Sequence, residues 1–395
     1  MDATFLDWLN LAFRWFHLVV AIGWIGTSFY FMWLDSNIAV PEKPREGVEG
    51  ELWMVHSGHF YQVEMRRLSP GQLPKVLHWF KWEAALTWMS GIALLTVVYY
   101  LTGGVYLIDP NVSRITSGGA VALCVGLLII SWVVYDLLWV SSIGRDHANL
   151  ATAISYILLF GVVVLLCRTL SGRAAFIHVG AMLGTIMVAN VWMRIIPAQK
   201  ELVAATAAGR TPDWTLSSRA KRRSVHNSYV TLPVIFMMIS NHYPSTYAHR
   251  LNWLILVLFM VVGVGIRHLH ITHEQHRPAA WVLAPVTAAL AVLVYLTLPA
   301  STASGVGAQV AFPVARRIIE SRCVSCHSAT PTDDIFRAAP NGVAFDTPES
   351  IRIRAEAIKQ RTIVLKNMPL ANKTGMTETE RELLARWIDQ GARVE

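Results

Sequence analysis

Charge is scarce in this chain. Of 395 residues only 15% are Asp, Glu, Lys or Arg, where a soluble globular chain carries about a quarter. The apolar excess sits before residue 300, which excludes an ordinary soluble enzyme and points to an integral membrane protein with a polar tail. A basic leader is also missing. The chain opens with Asp2 and Asp7, so its first apolar run is expected to be an uncleaved span rather than a signal peptide. No internal repeat is evident. The net charge of +8 does not imply a nucleic-acid partner, because the basic residues fall in particular loops between apolar segments.

Cysteine is scarce too, with four residues. Cys124 and Cys167 lie in apolar segments. The other two form Cys323-Val324-Ser325-Cys326-His327, the C-x-x-C-H signature of covalent c-type haem attachment. Two thiols at this spacing add to the two vinyl groups of one porphyrin, and His327 then lies under the iron. A zinc site would want a second Cys or His pair at ligand spacing, and a thioredoxin-like dithiol would want a βαβ context; neither is visible. Electron-transfer haems often take Met as second axial ligand, which raises the potential. Met368, in Leu365-Lys366-Asn367-Met368-Pro369-Leu370, is the expected ligand and Met376 the alternative. Three short helices surround this loop. One covers 312–322, one opens at Thr347-Pro348-Glu349, and one opens at the capping box Thr377-x-x-Glu380. Residues 312–395 therefore read as a small all-α cytochrome c domain, joined through the small-residue linker 301–311 to a membrane domain, 1–300.

A helical span needs about 20 mainly apolar residues. Eight candidates are expected, roughly 12–34, 83–102, 119–141, 150–171, 174–196, 227–242, 251–269 and 279–300; the sixth is short and carries Pro233. The fold class is thus all-α, a polytopic helix bundle plus the small C-terminal domain. In bacteria haem is attached to C-x-x-C-H on the outer side of the inner membrane. That places the tail, and with eight spans the N-terminus, on the periplasmic side. Odd-numbered loops then face inward and hold sixteen Lys and Arg against four in the outer ones, in keeping with the positive-inside rule.

Ionisable groups inside spans are costly and point to function. They sort by depth into two layers. His17, His178, His242 and His249 lie towards the outer face. Glu83, Asp136, His147, Arg194, His226, His268 and His270 lie towards the inner face, and His56-x-x-His59 is a further candidate there. His17, His178, His226, His242 and His268 are candidate ligands of an additional b-type haem or metal. Asp136, Asn190, Trp192 and Arg194 are candidate substrate or proton-handling residues. The structural alternatives are an ion pair for Asp136, snorkelling for residues near span ends, and helix–helix hydrogen bonds for single histidines.

Several segments resemble signatures of the membrane-bound, cytochrome c-fused urate oxidases (urate hydroxylases) of bacteria. They are Leu77-His78-Trp79-Phe80-Lys81-Trp82-Glu83, Asn190-Val191-Trp192-Met193-Arg194-Ile195-Ile196-Pro197, His226-Asn227-Ser228-Tyr229-Val230-Thr231-Leu232-Pro233, Ile239-Ser240-Asn241-His242-Tyr243-Pro244 and Asn341-Gly342-Val343-Ala344-Phe345-Asp346. The resemblance implies oxidation of urate to 5-hydroxyisourate, with water supplying the oxygen. It also implies electrons passing to one covalent haem c and on to a soluble cytochrome c or terminal oxidase. Urate is a planar anion, so its site wants a cation, amide groups and an aromatic face. The inner layer is the expected place, since cytosolic purine breakdown produces urate there and polar residues are denser. Two other functions fit the motifs less well: an electron-transfer subunit of a quinol-linked respiratory complex, and a haem-bearing sensor or transporter.

Overall fold

The computed structural model describes residues 3–69, 71–298 and 308–394. Most of the expected linker, 301–307, lies outside them. The chain is mostly helical. Helix α1 (Ala3–Asn37) is followed by a hairpin of β1 (Val48–His56) and β2 (His59–Arg66), then by α2 (Trp82–Leu95), which widens into a π-helical turn over Thr96–Tyr100. Next come α3 (Ser117–Val140), the single turn α4 (Ser142–Asp146), α5 (Ala148–Thr169) and α6 (Gly172–Asn190). A second π-helical turn, Val191–Ile195, leads into α7 (Ile196–Ala207). Helices α8 (Trp214–Ile239), α9 (Pro244–Tyr247), α10 (Asn252–Glu274) and α11 (Leu283–Thr297) complete the bundle.

Among the described residues, seven helical stretches are long and apolar enough to cross a membrane: Phe5–Asn37, Trp82–Tyr100, Ser117–Val140, Ala148–Thr169, Gly172–Ala207, Asn252–Glu274 and Ala280–Thr297. Seven of the eight expected spans are among them; the sixth, 227–242, is not apolar enough to count by composition. Its residues do form a helix, α8, but the first half carries Arg219, Lys221, Arg222 and Arg223. α8 packs between α6 and α10, turning Arg223, Asn227, Ser228 and Thr231 into the protein. Neighbouring helices cover that polar face, so it has no need of an apolar surface. It runs antiparallel to both neighbours: Gly180 and Asn190 of α6 meet Met237 and Asn227, and Gly263 of α10 lies on Pro233.

The all-α expectation is corrected by the hairpin. β1 and β2 pair antiparallel from Val48↔Arg66 to His56↔His59. Ser57 and Gly58, both at positive φ (50° and 77°), form the two-residue turn, the geometry that matches strand twist. His56 and His59 sit exposed at this tip, so they do not join the inner polar layer.

The C-terminal unit comprises α12 (Phe312–Arg322), α13 (Pro348–Ile353), α14 (Ala355–Lys359) and α15 (Glu378–Asp389). It has its own core, in which Phe312, Ile319, Phe345, Ile351, Leu384, Trp387 and Ile388 pack together. The expected caps are present. Thr347 accepts from the Ser350 amide at 3.2 Å, and Thr377 and Glu380 cap each other reciprocally. Arg322 at the end of α12 donates to Glu380 at 3.0 Å, which fixes the residue before Cys323 against the start of α15.

Candidate functional site

The inner polar layer is a connected network. Asp136, near the end of α3, accepts from Arg194 Nε at 2.9 Å and from Arg223 Nη2 at 2.8 Å. The Arg223 guanidinium lies 4.7 Å from the centre of the Tyr135 ring, and the Tyr135 hydroxyl is 2.8 Å from His226 Nδ1. Asn190 donates to the Tyr135 hydroxyl at 3.3 Å and to Asn227 Oδ1 at 2.9 Å, while its own Oδ1 is buried without a partner. Asp136, Asn190, Arg194 and His226 are thus brought together. Trp192 is not: its Nε1 donates to the Lys81 carbonyl at 3.2 Å and its ring meets Trp82 edge-on.

The remaining candidate histidines are dispersed. His17 pairs with the Ser90 hydroxyl at 3.0 Å. His178 is held between the Ala174 carbonyl, 2.8 Å from Nδ1, and the Tyr100 hydroxyl, 3.1 Å from Nε2. His268 stacks on Tyr229 and shares a hydrogen bond with its hydroxyl at 2.8 Å. Among the described residues no group of three or more His, Cys, Asp or Glu is placed to hold a metal. His17, His178, His226 and His268 each make the helix–helix hydrogen bond expected of a polar side chain within a bundle.

The fifth, His242, lies elsewhere. It lines a cavity of about 990 Å³ between the end of the bundle and the C-terminal unit, at the upper end of the range for cofactor pockets, about 300–1,000 Å³. From the C-terminal unit, Cys323, Cys326, His327 and Met368 line it; from the bundle come Tyr106, Arg173, Asn241, His242 and Arg250. The two units touch through Tyr106 and Phe336, whose rings are 6.3 Å apart and edge-on.

The cavity's C-terminal side suits a covalently held porphyrin. His327 Nδ1 lies 2.9 Å from the Val343 carbonyl, which fixes the ring and leaves Nε2 for iron, the way ligand imidazoles are usually oriented. Met368 lines the same space, whereas Met376 is packed in the unit's core. Burial pushes the Cys323 thiol up to about 12 and also raises Cys326. Among the described residues no group of three or more His, Cys, Asp or Glu is placed around the two thiols to hold a metal, so zinc is the poorer fit for C-x-x-C. Arg337 and Arg361 in the lining offer counter-charges for carboxylate side arms.

On the bundle side, Arg173 at the start of α6 lies over the Tyr106 ring, 4.6 Å from its centre. Asn241 Nδ2 donates to the buried Tyr99 hydroxyl at 3.3 Å. Two buried polar atoms here have no partner, Arg173 Nε and Asn241 Oδ1. Such atoms are costly and are commonly satisfied by ligand or water. Tyr106 and Arg173 do not stand out in the sequence, because both read as loop or span-end residues. Asn241 carries a signal, as part of Ile239-Ser240-Asn241-His242-Tyr243-Pro244.

The family profile described as Urate oxidase N-terminal matches residues 3–298, about three quarters of the chain. The chain belongs to this urate oxidase family. No curated protein and no solved structure matches it. The match covers the whole bundle and stops before the C-terminal unit. Membership points to a urate-related oxidase function, and the matched residues include both the Tyr106–Arg173–Asn241 corner and the Asp136 network.

Proposed function

We propose that this urate oxidase family member oxidises urate in the cavity between the bundle and the C-terminal unit. Electrons then leave through a haem c attached to Cys323 and Cys326, with His327 and Met368 as axial ligands. The observation that carries this reading is the shared lining. One cavity holds all four haem-motif residues together with a cation, an amide and an aromatic face, the set a planar anion such as urate requires. Arg173 faces the anion's charge, the Asn241 carboxamide pairs with a lactam edge, and Tyr106 offers its ring. The reaction converts urate and water to 5-hydroxyisourate with release of two protons and two electrons. His242, in the same lining, is the group placed to take a proton. A haem in this position supplies a one-electron acceptor, so two transfers complete a turnover. Cytochrome c in solution or a terminal oxidase then receives them.

This places urate at the other end of the bundle from the Asp136 network. Arg223 and Ile239 are sixteen residues apart on α8, about 24 Å at 1.5 Å per residue. A substrate in the inner layer would need a second cofactor to bridge that span, and the dispersed histidines offer no clasp for one. We read α8 as the eighth crossing, so that both termini and the C-terminal unit share the periplasmic face of a bacterial inner membrane.

The test is anaerobic addition of urate to the purified full chain. The expected result is stoichiometric reduction of a c-type haem band, with haem c the only redox cofactor on analysis. Intact haem that stays oxidised in the presence of urate would overturn the proposal. Reduction by a quinol instead would favour an electron-transfer subunit.

A further inference from the structure

A second cavity, of about 240 Å³, lies at the far end of the bundle from Cys323, between the end of α3, the start of α7 and the first half of α8. Arg145, Arg194, Arg219, Arg222 and Arg223 line it, with no carboxylate, amide or hydroxyl side chain among the lining residues. Asp136, just behind the wall, is already bound by Arg194 and Arg223, so one negative charge faces five positive ones. Arg223 is only 5% exposed, and its Nη1 is buried without a partner although Nη2 is held by Asp136. A guanidinium in that state calls for an acceptor from outside the chain. The rest of the wall is apolar, including Trp139 and Met193. Leu137 and Met193, at 65% and 58% exposure, continue that surface outward to where acyl chains would lie.

We propose that this cavity binds a phosphate-type oxyanion, either free phosphate or the headgroup of an anionic phospholipid. Guanidinium forks match tetrahedral oxyanions. A lining without amides recognises charge and not the lactam edges of a purine, which separates this site from the urate cavity. Basic pockets between transmembrane helices are a known form of headgroup recognition. The inference does not depend on where urate is oxidised.

The experiment uses the full haem-loaded chain in nanodiscs. Thermal unfolding is compared in phosphatidylcholine alone, in phosphatidylcholine with phosphatidylglycerol, and in phosphatidylcholine with inorganic phosphate or with urate at constant ionic strength. The same series is run on the double variant Arg145→Gln/Arg219→Gln. Neither of these side chains is engaged with Asp136, and the variant's unliganded melting point reports its folding. Stabilisation of the wild type by roughly 3–5 °C, lost in the double variant, is the expected result. Its appearance with phosphatidylglycerol only identifies the lipid as the source, and its appearance with inorganic phosphate in phosphatidylcholine the free ion. No shift with either, or a shift of equal size in the variant, overturns the proposal. So does a shift produced by urate and not by phosphate, which would return the substrate to this end of the bundle.

Discussion

Arg381 donates through Nη1 to the carbonyl oxygen of Met368 at 2.9 Å and also to that of Thr362. The side chain is 4% exposed and anchors the loop carrying Met368 to α15. Arg381→Ala leaves the buried Thr362 carbonyl and the half-buried Met368 carbonyl without this donor, at a cost of about 2–3 kcal/mol. The expected outcome is a C-terminal unit that unfolds at lower urea, with a lower haem midpoint potential from a loosened Met ligand. An unchanged potential would mean that Met368 is not the ligand.

The motif itself is tested by Cys323→Ser with Cys326→Ser. The expected product is a membrane-inserted chain without covalent haem, negative in a haem stain of a denaturing gel. Urate turnover should fall to background while urate binding survives, since Arg173, Asn241 and Tyr106 are untouched. Full turnover in this variant would show that another acceptor takes the electrons.

The two polar layers separate in their response to substitution. Arg173→Gln should reduce kcat/KM for urate by roughly 10–100-fold, the loss of one charge-assisted contact, with haem content unchanged. Asp136→Asn strips two guanidiniums of their partner and leaves Arg223 charged and buried, a fault worth about 3–5 kcal/mol. Its expected effect is on yield and melting temperature, not on KM of the protein that folds. A selective rise in KM for Asp136→Asn would place substrate in the inner layer.

What is legible in the sequence follows from how local each signal is. Two of the C-terminal helices, α13 and α15, are marked by caps within three residues of their starts, and Thr347, Thr377 and Glu380 behave as read. Spans exposed to lipid are legible because their whole surface is apolar. α8 breaks that rule, since α6 and α10 shield it and its polar residues face inward. The hairpin signal is present in Ser57-Gly58 between two strand-like runs, but it is hidden where a segment is treated only as a connection between spans. Convergence of Tyr106, Arg173 and Asn241 has no local signature, because they come from three separate parts of the chain. Trp192 shows the reverse case. It neighbours Arg194 in sequence, yet the π-helical turn at Val191–Ile195 carries it towards Lys81 and Trp82.

Among the carboxyls depressed in the C-terminal unit, Asp333 bears on acid stability. Burial alone would raise the Asp333 carboxyl, but the Lys373 ammonium at 2.7 Å and the amides of Ile335 and Phe336 outweigh it and hold it at about 2. Its ordinary value is about 3.9. A group depressed on folding stabilises above its unfolded pKa and loses that stabilisation as pH falls through the folded one. The window is therefore about pH 4 down to about pH 2. Solvent reaching Lys373 limits the contribution to about 1 kcal/mol. Asp333→Asn should flatten the acid limb of stability against pH over that window and leave the neutral-pH haem spectrum intact. A variant whose acid limb matches the wild type would remove Asp333 from the account.

The contact between α8 and α10 depends on the absence of a side chain at Gly263. A Cβ there would lie 2.8 Å from Cδ of Pro233 and 3.0 Å from its backbone nitrogen, distances that real contacts do not tolerate. The proline ring is rigid and cannot swing aside, so Gly263→Ala must push the two helices apart, at about 1–3 kcal/mol. The same separation acts on the Arg267–Ser228 hydrogen bond, 2.8 Å long and one helical turn away. The expected outcome is a lower melting temperature in detergent together with faster amide exchange in α8. Gly184, which has open space around its position, is the control, and Gly184→Ala should leave both readouts unchanged. Equal behaviour of the two variants would mean that α8 is not packed on α10 through Pro233.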